Sequence, residues 1–389
     1  MKNLFYCGGF FFHFLLATGF FMPTTTLTAR ETFKPGQTWN DTNGRAINAH
    51  GGGILLHDGV YYWFGEHKIE GEAGNKTMVG VHCYSSKDLL RWNDEGVALA
   101  VERDPESEIT EGCILERPKV LFSKATGKFV MWFHLELKST GYKSARSGVA
   151  VASQPTGPYR YVGSMRPCAG HWPLNVPEAS KKPLQADEIA KIEALGLSGG
   201  PHPEYPTDLI YRRDFAGGQM ARDMTLFRDT DGKSYHLYSS EENGTLHIAE
   251  LSDDLLKHTG KYVRVLPGRF NEAPAVMIHG GKYYLIASGC TGWSPNPARL
   301  AVADTILGPW KELPNPCRGT AEQCADTFQS QSTFLLPVAG KKDAWIFMAD
   351  RWNPKNAIDG RYVWLPVRFE EDQPVLRWLD EWSLDVFDR

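Results

Sequence analysis

The sequence predicts an all-β fold, a five-bladed β-propeller with an insertion in the third blade. The first observation is composition: 12% of the 389 residues are aromatic, and 38 glycines and 24 prolines are available for turns. The second is a turn glycine followed by an aromatic, strand-like run, which recurs five times along the chain. The third is a spacing of roughly 50 to 70 residues between most copies, which matches one four-stranded blade with its loops.

The repeated element has the pattern of a hairpin, because a turn residue precedes β-branched and aromatic residues. Its five copies occupy residues 58–64, 127–133, 231–238, 281–286 and 340–347. Each is followed by a short strand, a polar turn and another aromatic residue, at 81–92, 149–159, 246–262, 300–310 and 362–378. Two of these second elements share a Gly-Pro-aromatic turn, at Gly157 and Gly308. Each unit therefore predicts about four strands.

One interval is too long for a single blade. Between Gly127 and Gly232 lies a segment, about 166–221, that is rich in proline and glycine and carries one predicted helix near 186–195. The segment has too few apolar residues for a core of its own. We therefore expect an insertion in the third blade that lies over one face, within a single domain that spans 30–389.

The N-terminus predicts export. Residues 1–29 combine one lysine, a long apolar run and no acidic residue, which is the pattern of a secretory signal peptide with cleavage near 23–29. The alternative is an N-terminal membrane anchor. No later stretch is apolar for long enough to span a bilayer, so we expect a periplasmic, cell-surface or secreted protein without a membrane span after signal removal.

Charge and cysteine content limit the partners. The 42 basic and 46 acidic residues nearly balance, which argues against a nucleic-acid-binding surface. Six cysteines follow the predicted signal peptide without a C-x-x-C pair, so we predict no structural zinc site. They are either disulfides, with Cys317 and Cys324 able to close a short loop, or free buried thiols. The sequence carries no signal for an oligomeric state.

Polar residues recur nine positions before the turn glycines. They are His50, Asp223, Glu272 and Gln331, while in the second unit Pro118 takes that place and Glu116 lies two residues upstream on the same strand face. An apolar run follows each, as expected of the first strand of a blade. Since first strands line the axis of a propeller, we expect these residues to converge at one mouth of the channel. The alternative is that each caps a strand end by binding backbone amides.

Carboxylates that converge on a cleft suit glycoside hydrolysis, in which one protonates the leaving oxygen and a partner activates water. The residues and their surrounding motifs resemble glycoside hydrolase family 43, and within it the exo-β-1,3-galactanase (galactan 1,3-β-galactosidase) group. The matching stretches occur in all five units, at 36–41, 49–55, 62–66, 116–120, 222–223, 272–274, 292–296, 330–331 and 350–352. The 166–221 segment departs from the pattern. The resemblance implies a five-bladed propeller and inversion of the anomeric configuration.

The resemblance also implies the catalytic roles. Glu272 would be the general acid, and Asp223 would tune the pKa of that acid. His50 stands where the family usually has an aspartate base, a departure that the galactanase group shares. Gln331 matches the position proposed to take over from that base. A neutral amide is a poor base, so Gln331 would act as an imidic acid tautomer or hold the water in position.

Eight further residues are predicted to bind substrate: Glu116, Glu66, Tyr142, Asn243, Trp293, His50, Arg117 and Arg351. The two glutamates would hydrogen bond sugar hydroxyls. The tyrosine, asparagine and tryptophan would line the subsite for the non-reducing end. The two arginines are predicted either to orient the carboxylates through charge-assisted hydrogen bonds or to form structural salt bridges.

The predicted function is an exported, exo-acting glycoside hydrolase that releases terminal galactose from β-1,3-galactan of the arabinogalactan type. No organic cofactor is required, no metal ligand is predicted, and the resemblance allows a structural calcium in the central channel. Two alternatives stay open. One is an α-L-arabinofuranosidase or β-D-galactofuranosidase on the same fold, and the other is a carbohydrate-binding propeller without turnover. An oligo- or polysaccharide is the partner in each case.

Overall fold

The computed structural model describes residues 1–5, 8–9 and 32–388 of the chain. By internal contacts the chain divides into two units, Met1–Glu31 and Thr32–Arg389. The helices and strands below belong to the second unit. The predicted signal peptide falls largely outside the described residues, so the peptide and the export that it implies stay predictions.

Four antiparallel sheets of four strands follow one another along the described chain. Their strands are β1 (His50–His57), β2 (Val60–Glu66), β3 (Gly80–Ser86) and β4 (Asn93–Ala100); β5 (Ile114–Ser123), β6 (Lys128–Glu136), β7 (Arg146–Ala152) and β8 (Arg160–Met165); β9 (Met224–Arg228), β10 (Ser234–Ser240), β11 (Thr245–Leu251) and β12 (His258–Val265); and β13 (Asn271–His279), β14 (Lys282–Gly289), β15 (Arg299–Ala303) and β16 (Lys311–Leu313). In each sheet, strands that are neighbours in sequence are neighbours in space. The turn glycines lie between the first and second strands, so the predicted hairpins open these sheets.

Two smaller sheets complete the described part of the chain. Their strands are β17 (Cys317–Arg318), β18 (Gln331–Pro337), β19 (Trp345–Arg351), β20 (Arg361–Pro366), β21 (Arg368–Glu370) and β22 (Gln373–Arg377). One sheet has the order β18-β19-β20, and the other has the order β17-β22-β21 with β17 parallel to β22. The described residues thus form six sheets, and the predicted number of five was wrong. The sixth escaped prediction because the two-residue β17 pairs with a distant segment and leaves no repeat.

The first strands surround the axis of the fold. β1, β5, β9, β13 and β18 contact one another in this cyclic order, and β18 contacts β1 again. The sheet of β17, β21 and β22 contributes no strand to this ring. The architecture is an all-β propeller, as the repeat predicts, and the starts of the ring strands meet around one opening.

A bulge interrupts the start of four ring strands. The pairing register shifts between His50 and Gly53 in β1, between Glu116 and Lys119 in β5, between Glu272 and Ala275 in β13, and between Ser332 and Phe334 in β18. In three of these strands the residue after the predicted site residue has a left-handed backbone: Gly51 (φ 60°), Arg117 (φ 56°) and Ala273 (φ 54°). A bulge bends its strand and re-aims the side chains beside it. The same local device therefore orients a polar residue at several strand starts.

The segment between β8 and β9 packs against the last strand of the third sheet. It contains α1 (Ala186–Ala194), which was predicted, and the short α2 (Ile210–Arg213). Its Leu174 amide donates to the Tyr262 carbonyl at 2.8 Å, and Asn175 exchanges two hydrogen bonds with the Arg264 backbone at 2.7 and 3.0 Å. These contacts tie the segment to β12. The remaining helices are α3 (Ala321–Ala325) and the 3-10 turns Glu72–Asn75, Glu178–Ser180, Ala357–Asp359 and Leu384–Phe387.

Aromatic residues of the repeated strands fill the spaces between sheets. Trp63, Trp132 and Trp364 are each no more than 1% exposed. The Trp63 ring lies 4.8 Å from that of Trp364 and 5.3 Å from that of Trp92, which joins the first sheet to the sheet of β18 to β20. Burial of a large apolar side chain stabilises a fold by about 1.5–3 kcal/mol. The propeller is therefore held by a series of inter-sheet clusters, and the axis stays available for polar side chains.

Two further questions from the sequence concern the cysteines and membrane spans. All six cysteines after the predicted signal peptide are free thiols, and Cys324 Sγ lies 3.4 Å from the Cys317 carbonyl oxygen. No helix within the described ranges has the length and apolar character needed to cross a membrane.

Candidate active site

A cavity of about 390 Å³ opens where the ring strands begin. Nine of the eleven predicted site residues line it: Glu66, Glu116, Arg117, Tyr142, Asp223, Asn243, Glu272, Trp293 and Gln331. They come from every sheet that gives a strand to the ring, and the segment between β8 and β9 adds Ser198–Gly200 to the wall. The volume lies at the lower end for small-ligand sites, which suits one sugar unit better than a chain of them.

Glu272 is the second residue of β13 and directly precedes the bulge in that strand. Burial raises the pKa of Glu272 to about 8, and the negative charge of Asp223 adds to this shift, while the Arg117 guanidinium opposes it. A carboxyl with this pKa is mostly protonated at neutral pH, as a general acid must be. Burial is thus the larger cause of the raised pKa of Glu272, and the charge of Asp223, the predicted modulator, is the second.

The Gln331 amide has all of its hydrogen-bonding positions filled by the protein. Its Nε2 donates to Glu272 Oε1 at 3.0 Å and to Ser288 Oγ at 2.9 Å. Its Oε1 accepts from Arg117 Nη2 at 2.6 Å and from Trp352 Nε1 at 2.9 Å. An amide offers two donors and two acceptor lone pairs, so a water can bind Gln331 only by replacing one of these partners. The direct contact with Glu272 also leaves no room for a sugar ring between the two side chains.

Arg117 joins the predicted acid, its modulator and the amide. Its Nη2 donates to Asp223 Oδ2 at 2.8 Å as well as to Gln331, and its Nη1 donates to the Ser332 carbonyl at 3.1 Å. Its side chain is 5% exposed, so the ion pair with Asp223 is largely shielded from water. Charge-assisted hydrogen bonds of this kind fix orientation. The contacts agree with the predicted orienting role of Arg117.

Glu116 and Glu66 form the adjoining wall with their partners. Glu116 accepts from the Tyr142 hydroxyl at 2.8 Å and from His134 Nδ1 at 3.1 Å. Glu66 accepts from the Arg117 amide at 2.9 Å and pairs with Lys68 Nζ at 2.6 Å. Both carboxylates are less than 10% exposed, yet both line the cavity, so a ligand can reach them only from within it.

Asn243 sits in a turn with an unusual backbone. Glu241, Glu242 and Asn243 have φ values of 52°, 54° and 61°, three left-handed residues in succession. Such strain persists only where the surroundings hold it, and here Glu241 is fully buried and bonded to His247 and Arg264. The turn directs Asn243 into the cavity wall, where its Oδ1 is buried and has no hydrogen-bond partner among the described residues.

Two tryptophans form the outer side of the cavity. Trp293 is 43% exposed and meets Trp352 edge to face, with ring centroids 5.9 Å apart. The Trp352 ring also lies 5.3 Å from the Arg117 guanidinium and 5.8 Å from Lys68 Nζ. An exposed indole beside a polar pocket offers an apolar face for a sugar ring.

His50 and Arg351 do not line the cavity, contrary to the sequence-based prediction. His50 is fully buried and stacks on Tyr362 with ring centroids 5.4 Å apart, and burial lowers the pKa of His50 to about 3. Arg351 donates to the Phe328 carbonyl at 2.9 Å and lies over Trp378. The bulge in β1 gives Gly51 the left-handed position and leaves His50 packed behind the site. Arg351 ends β19 and lines a neighbouring cavity that shares Trp293, Gln331 and Trp352 with the first.

Ten lining residues were not among the predicted site residues, and five of these have charged, ionisable or aromatic side chains: Lys68, His134, Arg222, Cys290 and Trp352. His134 is the most informative of these, because it pairs directly with Glu116 across β5 and β6. Finding it required the register of two strands, which the sequence pattern does not supply. Trp352 and Arg222 lay within the matched stretches, next in sequence to the predicted residues Arg351 and Asp223, and this adjacency was the available signal.

The calcium allowed by the resemblance can be tested against the donor set. Within the described ranges, Glu116, His134 and Asp223 bring one ligand atom each to within 4.8 Å of one another. Calcium takes six to eight oxygen ligands. Both His134 nitrogens face carboxylates, and Asp223 Oδ2 already accepts from Arg117. These residues do not fit a calcium ion, and no step of the chemistry below passes through one.

Comparison with known proteins agrees with this geometry. The family model of glycosyl hydrolases family 43 matches residues 204–372. A β-1,3-galactosidase of the same family, solved with galactodeoxynojirimycin, is 50% identical over 90% of this chain and 100% of its own, with a TM-score of 0.82. An exo-β-1,3-galactanase from Phanerochaete chrysosporium, solved with β-1,3-galactotriose, is 30% identical over 92% of this chain and 69% of its own, with a TM-score of 0.72.

A curated relative is more distant. The β-D-galactofuranosidase xynD of Aspergillus niger is 27% identical over 128 residues, which cover 32% of this chain and 36% of that enzyme. The half-identical structure, whose whole length this chain covers, decides the family. The chain belongs to glycoside hydrolase family 43 and is a glycoside hydrolase.

Proposed function

We propose that this chain is an exo-acting, inverting glycosidase that releases terminal galactose from β-1,3-linked galactan. The carrying observation is the buried Glu272 carboxyl, with a pKa raised to about 8, in a polar cavity that suits a single sugar unit. The substrate class follows from the half-identical β-1,3-galactosidase and from the P. chrysosporium exo-β-1,3-galactanase.

In the proposed reaction Glu272 gives its proton to the glycosidic oxygen as the bond to the anomeric carbon breaks. A water attacks that carbon from the opposite face and gives up one proton to the solvent, so a β-linkage yields α-galactose, and Glu272 takes a proton back from the solvent before the next turnover. Asp223 helps to keep the acid protonated before the reaction, because its negative charge raises the pKa of Glu272. The proton of Glu272 is thus held until a leaving group accepts it.

Gln331 is proposed to position the water or to activate it. A sugar that draws Glu272 towards its glycosidic oxygen removes one partner of the Gln331 Nε2 group and opens a place for water. Arg117 and Trp352 continue to hold Oε1 in its orientation. The same two donors favour negative charge on Oε1. This supports a role of Gln331 in positioning the water more directly than a role in taking a proton from it.

The exo mode is supported by the walls of the cavity. Glu116, Tyr142, Glu66 and Asn243 offer polar atoms to the hydroxyls of one sugar. Trp293 remains exposed at the rim, where the next sugar of the chain would leave the pocket. We further propose export to the cell surface or beyond, on the strength of the apolar N-terminal run alone.

A second candidate is a furanosidase on the same fold, which the partial match to a β-D-galactofuranosidase favours. The purified enzyme should be incubated with β-1,3-galactan and with aryl β-D-galactopyranoside, β-D-galactofuranoside and α-L-arabinofuranoside. We expect galactose as the sole early product from the polymer and little turnover of either furanoside. Preferential cleavage of a furanoside would replace the proposed substrate, and absence of any sugar release would favour a binding protein.

A further inference from the structure

A chain of four hydrogen-bonded side chains runs from the interior of the second sheet into the wall of the cavity. Glu136 Oε1 accepts from His134 Nε2 at 2.9 Å, His134 Nδ1 donates to Glu116 Oε2 at 3.1 Å, and Glu116 Oε1 accepts from the Tyr142 hydroxyl at 2.8 Å. His134 and Glu136 are both 0% exposed. The row leads from the sealed interior of the second sheet to two groups of the cavity wall.

The contacts of His134 favour a positive charge on its ring. Each of its ring nitrogens faces a carboxylate oxygen, and a neutral imidazole has only one N–H to donate. Burial by itself would lower the pKa of His134, but the hydrogen bonds and charges of Glu116 and Glu136 outweigh it and raise the pKa to about 10. Burial alone would raise the pKa of Glu116. The hydrogen bond and the charge of His134 outweigh burial and hold the pKa of Glu116 well below the usual range.

The same row holds the loop that carries Tyr142. The second oxygen of Glu136, Oε2, accepts from the Ala145 amide at 2.9 Å. Ala145 has a left-handed backbone with φ 43°, so its amide points inward at the point where the loop enters β7. The Tyr142 carbonyl accepts from Arg222 at 2.6 Å. One buried carboxylate therefore fixes both the imidazolium and the end of the loop.

We propose that His134, as a permanently charged imidazolium backed by Glu136, is a positioning residue that keeps Glu116 ionised and aligns Glu116 and Tyr142 for the hydroxyls of the terminal sugar. The proposal rests on the proposed function for the identity of that sugar. His134 itself supplies a positive charge beside Glu116. The carboxylates here therefore do not need a calcium ion to balance their charge. It acts through Glu116, so its loss should change sugar binding before it changes proton donation by Glu272.

The first test is His134→Gln, measured as the affinity for galactose by calorimetry and as kcat and KM on β-1,3-galactobiose. Glutamine retains an N–H donor but has no charge, so Glu116 loses its compensating cation. We expect the galactose Kd and the KM to rise about tenfold or more, with kcat less affected. Glu136→Gln keeps the shape and removes the charge behind His134, and we expect a smaller loss in the same direction.

The second readout is pH. The charged and titratable groups that face Glu116 are His134, Tyr142, Lys68, Glu66, Arg117 and Asp223. Without the imidazolium, the buried Glu116 should take up a proton as the pH falls, so its pKa should rise. The loss of galactose affinity in His134→Gln should therefore be several-fold larger at pH 5 than at pH 7. A purely structural role would give the same loss at both values.

The matched control is His82→Gln. His82 also hydrogen bonds a carboxylate, Asp94, at 2.6 Å, but it does not line the cavity. We expect a change in melting temperature without a pH-dependent change in galactose affinity. Unchanged affinity in both His134→Gln and Glu136→Gln, or a loss in His134→Gln that is equal at both pH values, overturns the proposal. Failure of the wild-type enzyme to bind or release galactose overturns instead the proposed function.

Discussion

At the scale of single residues, the proposed acid chemistry depends on one buried carboxyl and its surroundings. Glu272 has an elevated pKa mainly because it is buried and secondly because Asp223 is near. Arg117 keeps Asp223 and Gln331 in place but lowers the pKa of the acid. Because burial, Asp223 and Arg117 each affect the pKa of Glu272, substitutions can test the proposed acid and its modulator separately.

Glu272→Gln should lower kcat on β-1,3-galactan by about 10²–10⁴-fold, because the leaving oxygen loses its proton donor. The loss should be smaller on a 4-nitrophenyl galactoside, whose leaving group needs little protonation. Steady-state kinetics on the two substrates measure this difference. The control is Glu250→Gln, since Glu250 is 8% exposed and lies outside the cavity. Nearly full activity of Glu272→Gln on the polymer would disprove the acid assignment.

Asp223→Asn should shift the alkaline side of the pH–rate profile. In the wild type, kcat/KM should fall as the pH rises through about 8, where Glu272 loses its proton. Removal of the negative charge of Asp223 lowers the pKa of Glu272, so the fall should begin about one pH unit lower. Asp229→Asn is the control, because Asp229 is similarly buried but bonds Tyr283 outside the cavity. An unmoved alkaline limb in Asp223→Asn would contradict the modulator role.

Residues of the cavity could be predicted from the sequence where the side chain lies at the start of a ring strand. Glu272, Asp223 and Gln331 share an offset from a turn glycine and lie in one cavity. His50 has the same offset but is buried behind the site, because the bulge in β1 changes the direction of the strand over two residues. The pairing of His134 with Glu116 depends on strand register, and the offset pattern carries no information on it.

At the scale of elements, the bulges connect sequence to chemistry. Gly51 in β1 has φ 60°, and a Cβ there would lie 2.1 Å from Glu66 Oε1. A side chain at this position must displace a carboxylate of the site. Arg117 and Ala273 have the same left-handed backbone in their own bulges, so it is the close approach of Glu66 that restricts position 51 to glycine.

Gly51→Ala should reduce both stability and substrate binding. The left-handed backbone alone should cost about 1–2 kcal/mol, and displacement of Glu66 should raise the KM as well. Gly59→Ala is a matched control, because Gly59 has φ 76° but open space around its Cβ position. Urea unfolding and KM measurements should show a stability loss in both variants and a KM increase only in Gly51→Ala. Equal KM values in the two variants would contradict the account of this bulge.

Elements with a local signal were predicted, and those without one were not. The hairpins follow from turn glycines with aromatic strands, and α1 follows from its helical pattern. β17 has two residues and pairs in parallel with β22, more than fifty positions away in the printed sequence, so no local pattern marks it. The predicted number of sheets was wrong for this reason, whereas the ring of first strands agrees with the sequence repeat.

At the scale of the whole molecule, the propeller separates stability from chemistry. Aromatic clusters between sheets stabilise the fold. Polar side chains from every sheet that contributes a strand to the ring meet at the axis. The result is one polar pocket in which the Gln331 amide contacts Glu272 directly and hydrogen-bonding groups form the adjoining wall. From the proposed function we predict a single-displacement reaction at the end of a chain in this pocket.

The most direct test of that prediction is the anomeric form of the first product. Proton NMR should follow the wild-type enzyme on β-1,3-galactan within the first minutes, before galactose mutarotates. We expect the α-anomer of galactose to appear first and the β-anomer only later, as the free sugar equilibrates. Initial release of β-galactose, or of oligosaccharides without galactose, would contradict an inverting exo-galactosidase.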